Sequence, residues 1–263
     1  MADAFYVPLG DGRFSATAHT AGPWTPDAQH FGPPSALLVR ALENVEPAHP
    51  AELARVTVEI LGPAPVAELA VRARIERPGR SVELLQAELA SADRVVARAS
   101  AWRVATSDTA AIATDAGPLL PAPDSVGESR WPEGWGGGYL DAMEWRAVRG
   151  GMDVPGPAAV WARQRIPLVD GEEPSGLQRL VTAADSASGV SNFLDPRQWW
   201  FINSELTVHL RRQPDGEWIG MDAVTLVGRT GVGTATSILH DGDGPVATGA
   251  QALLVRARQA GGG

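Results

Sequence analysis

Most of the chain alternates between apolar and polar positions, and two stretches instead carry a helical stripe. In residues 33–45, PPSALLVRALENV, the stripe is Leu37, Leu38, Ala41, Leu42 and Val45. Pro33 and Pro34 pre-set its start. In residues 174–194, PSGLQRLVTAADSASGVSNFL, a Pro-Ser start leads into Leu177, Leu180, Val181 and Ala184. Asp185 follows on the same stripe, four residues after Val181. A carboxylate there is costly unless it is paired, hydrogen-bonded or protonated. A local cap or a hydrated helix end is the plainer reading. Elsewhere the period is two. Residues 5–20 predict a hairpin turning at Gly10-Asp11-Gly12. A polar loop, AGPWTPDAQHFG, comes next. After the first helix, residues 55–61, 66–77, 80–91 and 94–105 predict strands, punctuated by Gly62-Pro63, Pro78-Gly79 and Ala92-Asp93.

Residues 106–138 break this pattern. They are rich in Pro, Gly, Ala and Asp without a sustained period, and predict a linker lying over the surface. Beyond them the order repeats: strand-like AMEWRAV and AAVWARQRI, the Pro174 helix, then strands. At a constant offset of 150, Val56-Thr57-Val58 lies over Leu206-Thr207-Val208, Arg80-Ser81-Val82 over Thr230-Gly231-Val232, and Val96-Ala97 over Val246-Ala247. The helices align at an offset of 140, Pro34-Ser35-Ala36-Leu37 over Pro174-Ser175-Gly176-Leu177. A helix followed by an antiparallel sheet, made twice, is an α+β arrangement. The expected units are residues 1–105 and 139–263, joined by the linker 106–138. Two positions break the likeness of the copies. Asp185 answers to Val45 and Gln251 to Ala101, so both polar versions lie in the second copy. Drift at exposed positions is the alternative explanation.

Composition narrows the function. With 263 residues, 44% hydrophobic and 20% charged, the chain is an ordinary globular protein. All 22 basic residues are Arg, and the net charge of −9 argues against a general nucleic-acid or anionic-membrane binder. The absence of Cys excludes disulfides, thiolate chemistry and Cys-ligated metal sites. The five His show no metal spacing. No signal peptide and no membrane span are expected, which makes the cytoplasm the default location.

The loop Gln29-His30-Phe31-Gly32, opening into a helix, resembles the start of the first helix in double-hotdog acyl-CoA thioesterases of the thioesterase II type. In the second half the resemblance is carried by Ala183-Ala184-Asp185, Asn192-Phe193-Leu194, Leu206-Thr207-Val208, Gly216-Glu217-Trp218, and Val246-Ala247 with Gln251. It is strongest to the family's actinobacterial branch. The resemblance implies a double hotdog, two tandem units of a long helix wrapped by an antiparallel sheet. It also implies an acyl-CoA or other acyl-thioester substrate, with coenzyme A as part of substrate and product and no separate cofactor. In that family an Asp on the second helix, a Thr near the next strand and a Gln on the last strand orient a water. The Asp carries over to Asp185 and the Gln to Gln251. The Thr does not carry over: Phe201 stands there, with Asn203 and Ser204 close by, and Asn203 is the nearest substitute.

Thioester hydrolysis needs an activated water and a place for the charge that develops. A carboxylate in an apolar setting has a raised pKa and can act as general base. The expected catalytic set is Asp185, Gln251 and Asn203, with His30, Phe31, Gly32 and Trp200 binding substrate. The Gly32 loop and the start of the first helix are expected to receive the thioester oxygen on free N–H groups. Two rival readings stand beside this. His30 before a Gly/Pro-rich turn is similar to hotdog hydratases and dehydratases acting on enoyl thioesters, although Asp27 is at the wrong spacing to partner it. A catalytically weak acyl-thioester binding protein is the other. Arg211-Arg212 are candidates for coenzyme A phosphates, or simply solvated strand-end charges. His240-Asp241-Gly242-Asp243-Gly244 is first a turn. Exposed sheet edges favour a homodimer or higher homo-oligomer.

Overall fold

The computed structural model describes residues 3–92, 94–114, 117–129 and 135–258. Residues 115–116 and 130–134 of the predicted linker, and Asp93 of the predicted Ala92-Asp93 turn, lie outside the described residues.

The alternating runs form thirteen strands in one antiparallel sheet. The first hairpin is β1 (Tyr6–Gly10) and β2 (Arg13–Ala16), followed by helix α1 (Gly32–Glu43). Four long strands come next: β3 (Ala51–Ile60), β4 (Glu68–Arg77), β5 (Val82–Ser91) and β6 (Arg94–Ala105). After the Pro/Gly-rich segment lie a one-turn helix α2 (Tyr139–Ala142), then β7 (Met143–Gly151) and β8 (Val154–Gln164). Helices α3 (Gly176–Ala184) and α4 (Ala187–Val190) precede β9 (Trp199–Asn203), β10 (Glu205–Leu210), β11 (Trp218–Val227), β12 (Val232–Asp241) and β13 (Gly244–Ala257).

The strand order is β1-β2-β4-β5-β6-β3-β10-β13-β12-β11-β8-β7, with β9 also paired to β13. Read from either end, this is one order of equivalent strands meeting at β3 and β10. The offset of 150 is visible in the register. Leu85 faces Ala101 across β5 and β6, and Ala235 faces Gln251 across β12 and β13. At the centre, Thr57 pairs with Thr207, the residue 150 positions on, and their hydroxyls lie 3.1 Å apart. A residue can pair with its own counterpart only near a two-fold relation between the halves.

The two main helices pack against each other on the sheet, α1 over β3 to β6 and α3 over β8, β11 and β12. They run antiparallel, so the start of each lies at the end of the other. A Cβ on Gly32, at the start of α1, would stand 2.4 Å from the carbonyl oxygen of Thr182 near the end of α3. That approach requires glycine. Leu37, Leu38 and Leu42 of the predicted stripe are fully buried, while Ala41 and Val45 are half-buried. Helix α1 stops at Glu43, so Val45 lies past it; α3 stops at Ala184, and Asp185 is its C-cap. The Pro/Gly-rich segment does more than cross the surface. Pro121 accepts a hydrogen bond from Trp161 Nε1 at 2.8 Å, and Trp135 packs into the interior. No helix among the described residues is long and apolar enough to cross a membrane.

Candidate active site

Where α3 ends against the start of α1, a cavity of about 500 Å3 opens between the helices and strands β9 and β13. Its wall is mostly apolar, and Asp185 is the carboxylate in its lining. Asp185 is 4% exposed. It sits at the C-terminal end of a helix, where the backbone dipole already disfavours negative charge. Four groups answer that cost. Asn203 Nδ2 donates to Oδ1 at 2.8 Å. Gln251 Nε2 donates to the Asp185 carbonyl at 3.0 Å and stands 3.5 Å from Oδ1. The backbone N–H groups of Phe31 and Gly32, at the start of α1, also donate to the carboxylate. Burial nevertheless pushes the carboxyl up to about 6, against the pull of Asn203 and the two amides. Gln251 is itself held in one orientation, because its Oε1 accepts the N–H of Ser188 at 3.2 Å.

His30 completes the group. Its Nδ1 accepts the Gly32 N–H at 3.1 Å and lies 3.3 Å from Asp185 Oδ2. Burial holds the ring down at about 3, so it is neutral and the contact is not an ion pair at neutral pH. The Gly32 N–H is thus shared between His30 Nδ1 and the Asp185 carboxylate. The ring stacks on Tyr139, with centroids 3.8 Å and planes 4° apart. Tyr139 is pinned in turn by hydrogen bonds from its hydroxyl to Thr182 O at 2.8 Å and with Ser186 Oγ at 2.9 Å.

The predicted site residues thus gather at this one place, with two corrections. Gln251, Asn203 and His30 each contact Asp185, and Phe31 and Trp200 line the cavity. Gly32 stands behind the wall rather than on it. The expected oxyanion donors at the start of α1 are also spent. Pro33 and Pro34 have no N–H, and the amides of Phe31 and Gly32 face Asp185 and His30. Arg211 and Arg212 are engaged elsewhere, Arg211 with the carbonyls of Thr114 and Pro245 and Arg212 with Asp241. The Asp241 loop is a turn closed on Arg212 and the amides of Asp215 and Asp243. Among the described residues, no cluster of His, Asp and Glu has a metal-binding arrangement.

Several contributors escape sequence reasoning. Trp24, from the polar loop, packs on Phe201, Trp200 and Trp135 with ring centroids 5.1, 5.3 and 5.9 Å away. Tyr139 supports His30 from a one-turn helix. The only signal for these was an aromatic residue in a segment without periodicity.

Residues 20–104 match the acyl-CoA thioesterase N-terminal domain and residues 120–255 the acyl-CoA thioesterase C-terminal domain. No curated protein matches. Among solved structures, a hot dog fold protein of unknown function from Alicyclobacillus acidocaldarius is 18% identical, with TM-score 0.75 over 98% of both chains. The acyl-CoA thioesterase II TesB2 from Mycobacterium marinum is 15% identical, with TM-score 0.67 over 98% of this chain and 97% of that one. At these identities the likeness shows the fold, a hotdog fold. Both halves match the domains of one family, so the chain belongs to the acyl-CoA thioesterase family and is a thioester hydrolase.

Proposed function

We propose that the chain is a double hotdog, with units 1–105 and 139–263 joined by 106–138, and that it hydrolyses a fatty or related acyl-CoA to the free acid and coenzyme A. The observation that carries this reading is a buried carboxylate, raised to about 6, on the wall of an apolar cavity. Asp185 is deprotonated at neutral pH yet basic enough to take a proton from water. Gln251 and Asn203 fix the carboxylate and orient the water, Asn203 being the nearest substitute for the family's hydroxyl, whose own position holds Phe201. The water oxygen bonds to the thioester carbon as its proton passes to Asp185. The C–S bond then breaks, and the proton returns to the departing sulfur. With the α1 amides engaged, the donor left for the developing oxyanion is neutral His30 in its Nε2–H tautomer, a role that needs an uncharged imidazole.

The His30–Asp185 contact also gives the enoyl hydratase reading the carboxylate partner that the sequence spacing denied it. A ring held at about 3 is a poor base for proton abstraction, so hydrolysis is favoured. Incubation with a panel of acyl-CoAs separates the readings. Thiol release lost in Asp185→Asn supports hydrolysis. Loss of enoyl absorbance without thiol supports hydration. Tight binding with neither signal marks an acyl-thioester binding protein.

A homodimer through the outer sheet face of the second half is part of the proposal. There Leu226 and Ile238 are exposed where the first half carries Glu76 and Glu88. Sedimentation of Leu226→Glu/Ile238→Glu as a monomer, beside a dimeric parent, is the expected result.

A further inference from the structure

Beyond the cavity, past the Trp24–Trp200 pair, a second hollow of about 710 Å3 opens and shares Pro23, Trp24, Trp135, Met152 and Gly189 with the first. The chemistry of its wall differs. It is polar and mixed in charge, with Asp153, Asp195, Arg197 and Arg258. Beyond Leu254 of the catalytic cavity, β13 turns basic at Arg256 and Arg258, which with Trp200 line an adjoining hollow. Arg258 lies on the shared threshold. Its guanidinium stacks 3.7 Å from the Trp200 ring centroid and 5.4 Å from that of Trp24. Its Nε is buried and has no hydrogen-bond partner. Its backbone N–H is tied to Gln198 O at 2.7 Å, which holds the strand end against the aromatic pair. Among the described residues neither Arg256 nor Arg258 has an acidic partner within ion-pair distance. About half of the other described arginines are ion-paired with Asp or Glu, as Arg13, Arg40, Arg98 and Arg163 are.

We infer that Arg258, with Arg256, is the phosphate-binding subsite for the coenzyme A portion of the substrate, and that Trp24 and Trp200 form the passage along which the pantetheine arm reaches Asp185. This rests on the thioesterase reading above and names the part of the substrate it leaves open. Guanidinium groups suit phosphates because they present fixed, paired donors and stay charged. Stacking on an aromatic face holds the group in place while its edge stays free to bond. The apolar cavity takes the acyl chain, and Arg258 on its threshold, with Arg256 beside it, takes the phosphates at the polar end of the same molecule. The net charge of −9 disfavours docking of an acidic carrier protein, which leaves coenzyme A itself as the phosphate donor to this subsite.

The test compares one acyl group carried on coenzyme A with the same group on pantetheine, which has no phosphate. Arg258→Gln and Arg256→Gln should raise KM for the acyl-CoA about tenfold more than KM for the acyl-pantetheine, the scale of losing a charge-assisted hydrogen bond. The gap between the substrates in the parent protein should shrink as salt is added. Equal changes for both substrates would overturn the inference. Should the parent hydrolyse neither, the thioesterase reading fails, and tryptophan fluorescence titration decides the subsite separately. Coenzyme A binding more tightly than pantetheine, with the difference abolished in Arg258→Gln, supports it. Equal binding of the two sinks it. Arg256 is exposed on the strand, so its variant guards against misfolding of the Arg258 change.

Discussion

The antiparallel pair of α1 and α3 has two ends, and only one of them faces a usable cavity. At each end a carboxylate from the end of one helix meets the start of the other. At the first, Glu43 accepts hydrogen bonds from Ser175 Oγ at 2.8 and 3.0 Å and from Gln178 Nε2 at 2.7 Å. Nearby, Arg103 of β6 donates to the carbonyls of Val45 and Glu46 and is bound to Glu83, at 2.7 Å, in a buried pair. The space left beside that pair is about 10 Å3. At the second end, the side chain that reaches up from the equivalent strand is Gln251, and it bonds the Asp185 carbonyl much as Arg103 bonds that of Val45. Gln251 is neutral, whereas the charge of Arg103 is matched by Glu83. Asp185 is left negative, underpaired and facing 500 Å3 of apolar space. The same helix pair therefore ends in a closed joint capped by Arg103 on one side and in an open cavity beside Gln251 on the other.

The largest contrast should come from neutralising the two carboxylates. Asp185→Asn is expected to lose roughly 10²–10⁴ in turnover, the usual contribution of a general base. Glu43→Gln should lose little turnover but should lower the melting temperature, because its hydrogen bonds are structural. Equal turnover losses in the two variants would erase the distinction between the ends. Burial raises both carboxyls, Glu43 against the pull of Gln178, Ser175 and Arg40. The folded pKa of Asp185, about 6, lies above its unfolded value of 3.8. The stabilisation is therefore complete below pH 3.8 and is lost as pH rises through 6. Relative to Asp185→Asn, the parent should lose up to about 3 kcal/mol across that window. Turnover should run the opposite way, rising through about pH 6 as the base deprotonates.

The capping side chains give the next contrast. Arg103→Ala leaves Glu83 buried without its cation and should cost about 3–5 kcal/mol in denaturant unfolding. The Asp185 end of the surviving folded protein should still turn over. Gln251→Ala should do the reverse, with turnover down about tenfold or more and a smaller loss of stability.

Much of this contrast is legible in the sequence, because burial and alternation are local. Val45 against Asp185, and Ala101 against Gln251, already mark the second copy as the polar one, and the offset of 150 reappears in the strand register. What escapes is whatever depends on how the halves meet. No spacing rule connects His30 to Asp185, since the contact exists only because α1 and α3 run antiparallel. The amides at the start of α1 look free for an oxyanion until Asp185 is seen to occupy them. Trp24, Trp135 and Arg258 reach the site from a loop, a Pro/Gly-rich segment and a strand end, where no period exists to reveal direction. Arg103 reads as an ordinary alternating strand residue, yet it is the side chain that seals the first end.

The finest separation of the two ends is carried by Asn203. Its counterpart at an offset of 150 is Leu53, a buried apolar residue. Asn203→Leu therefore makes the second half resemble the first at this position, with a side chain of similar size and no donor. The carboxylate loses its 2.8 Å hydrogen bond but keeps Gln251 and the α1 amides. Losing a donor to the charged form raises the pKa further, by about one pH unit on the scale of such bonds. The rise of activity with pH should shift upward by that amount, with turnover on the high-pH plateau reduced less than in Gln251→Ala. A profile that keeps its midpoint near 6 would mean that Asn203 acts on the substrate and not on the charge of Asp185. The missing family hydroxyl would then have been replaced in substrate contact rather than in the tuning of the base.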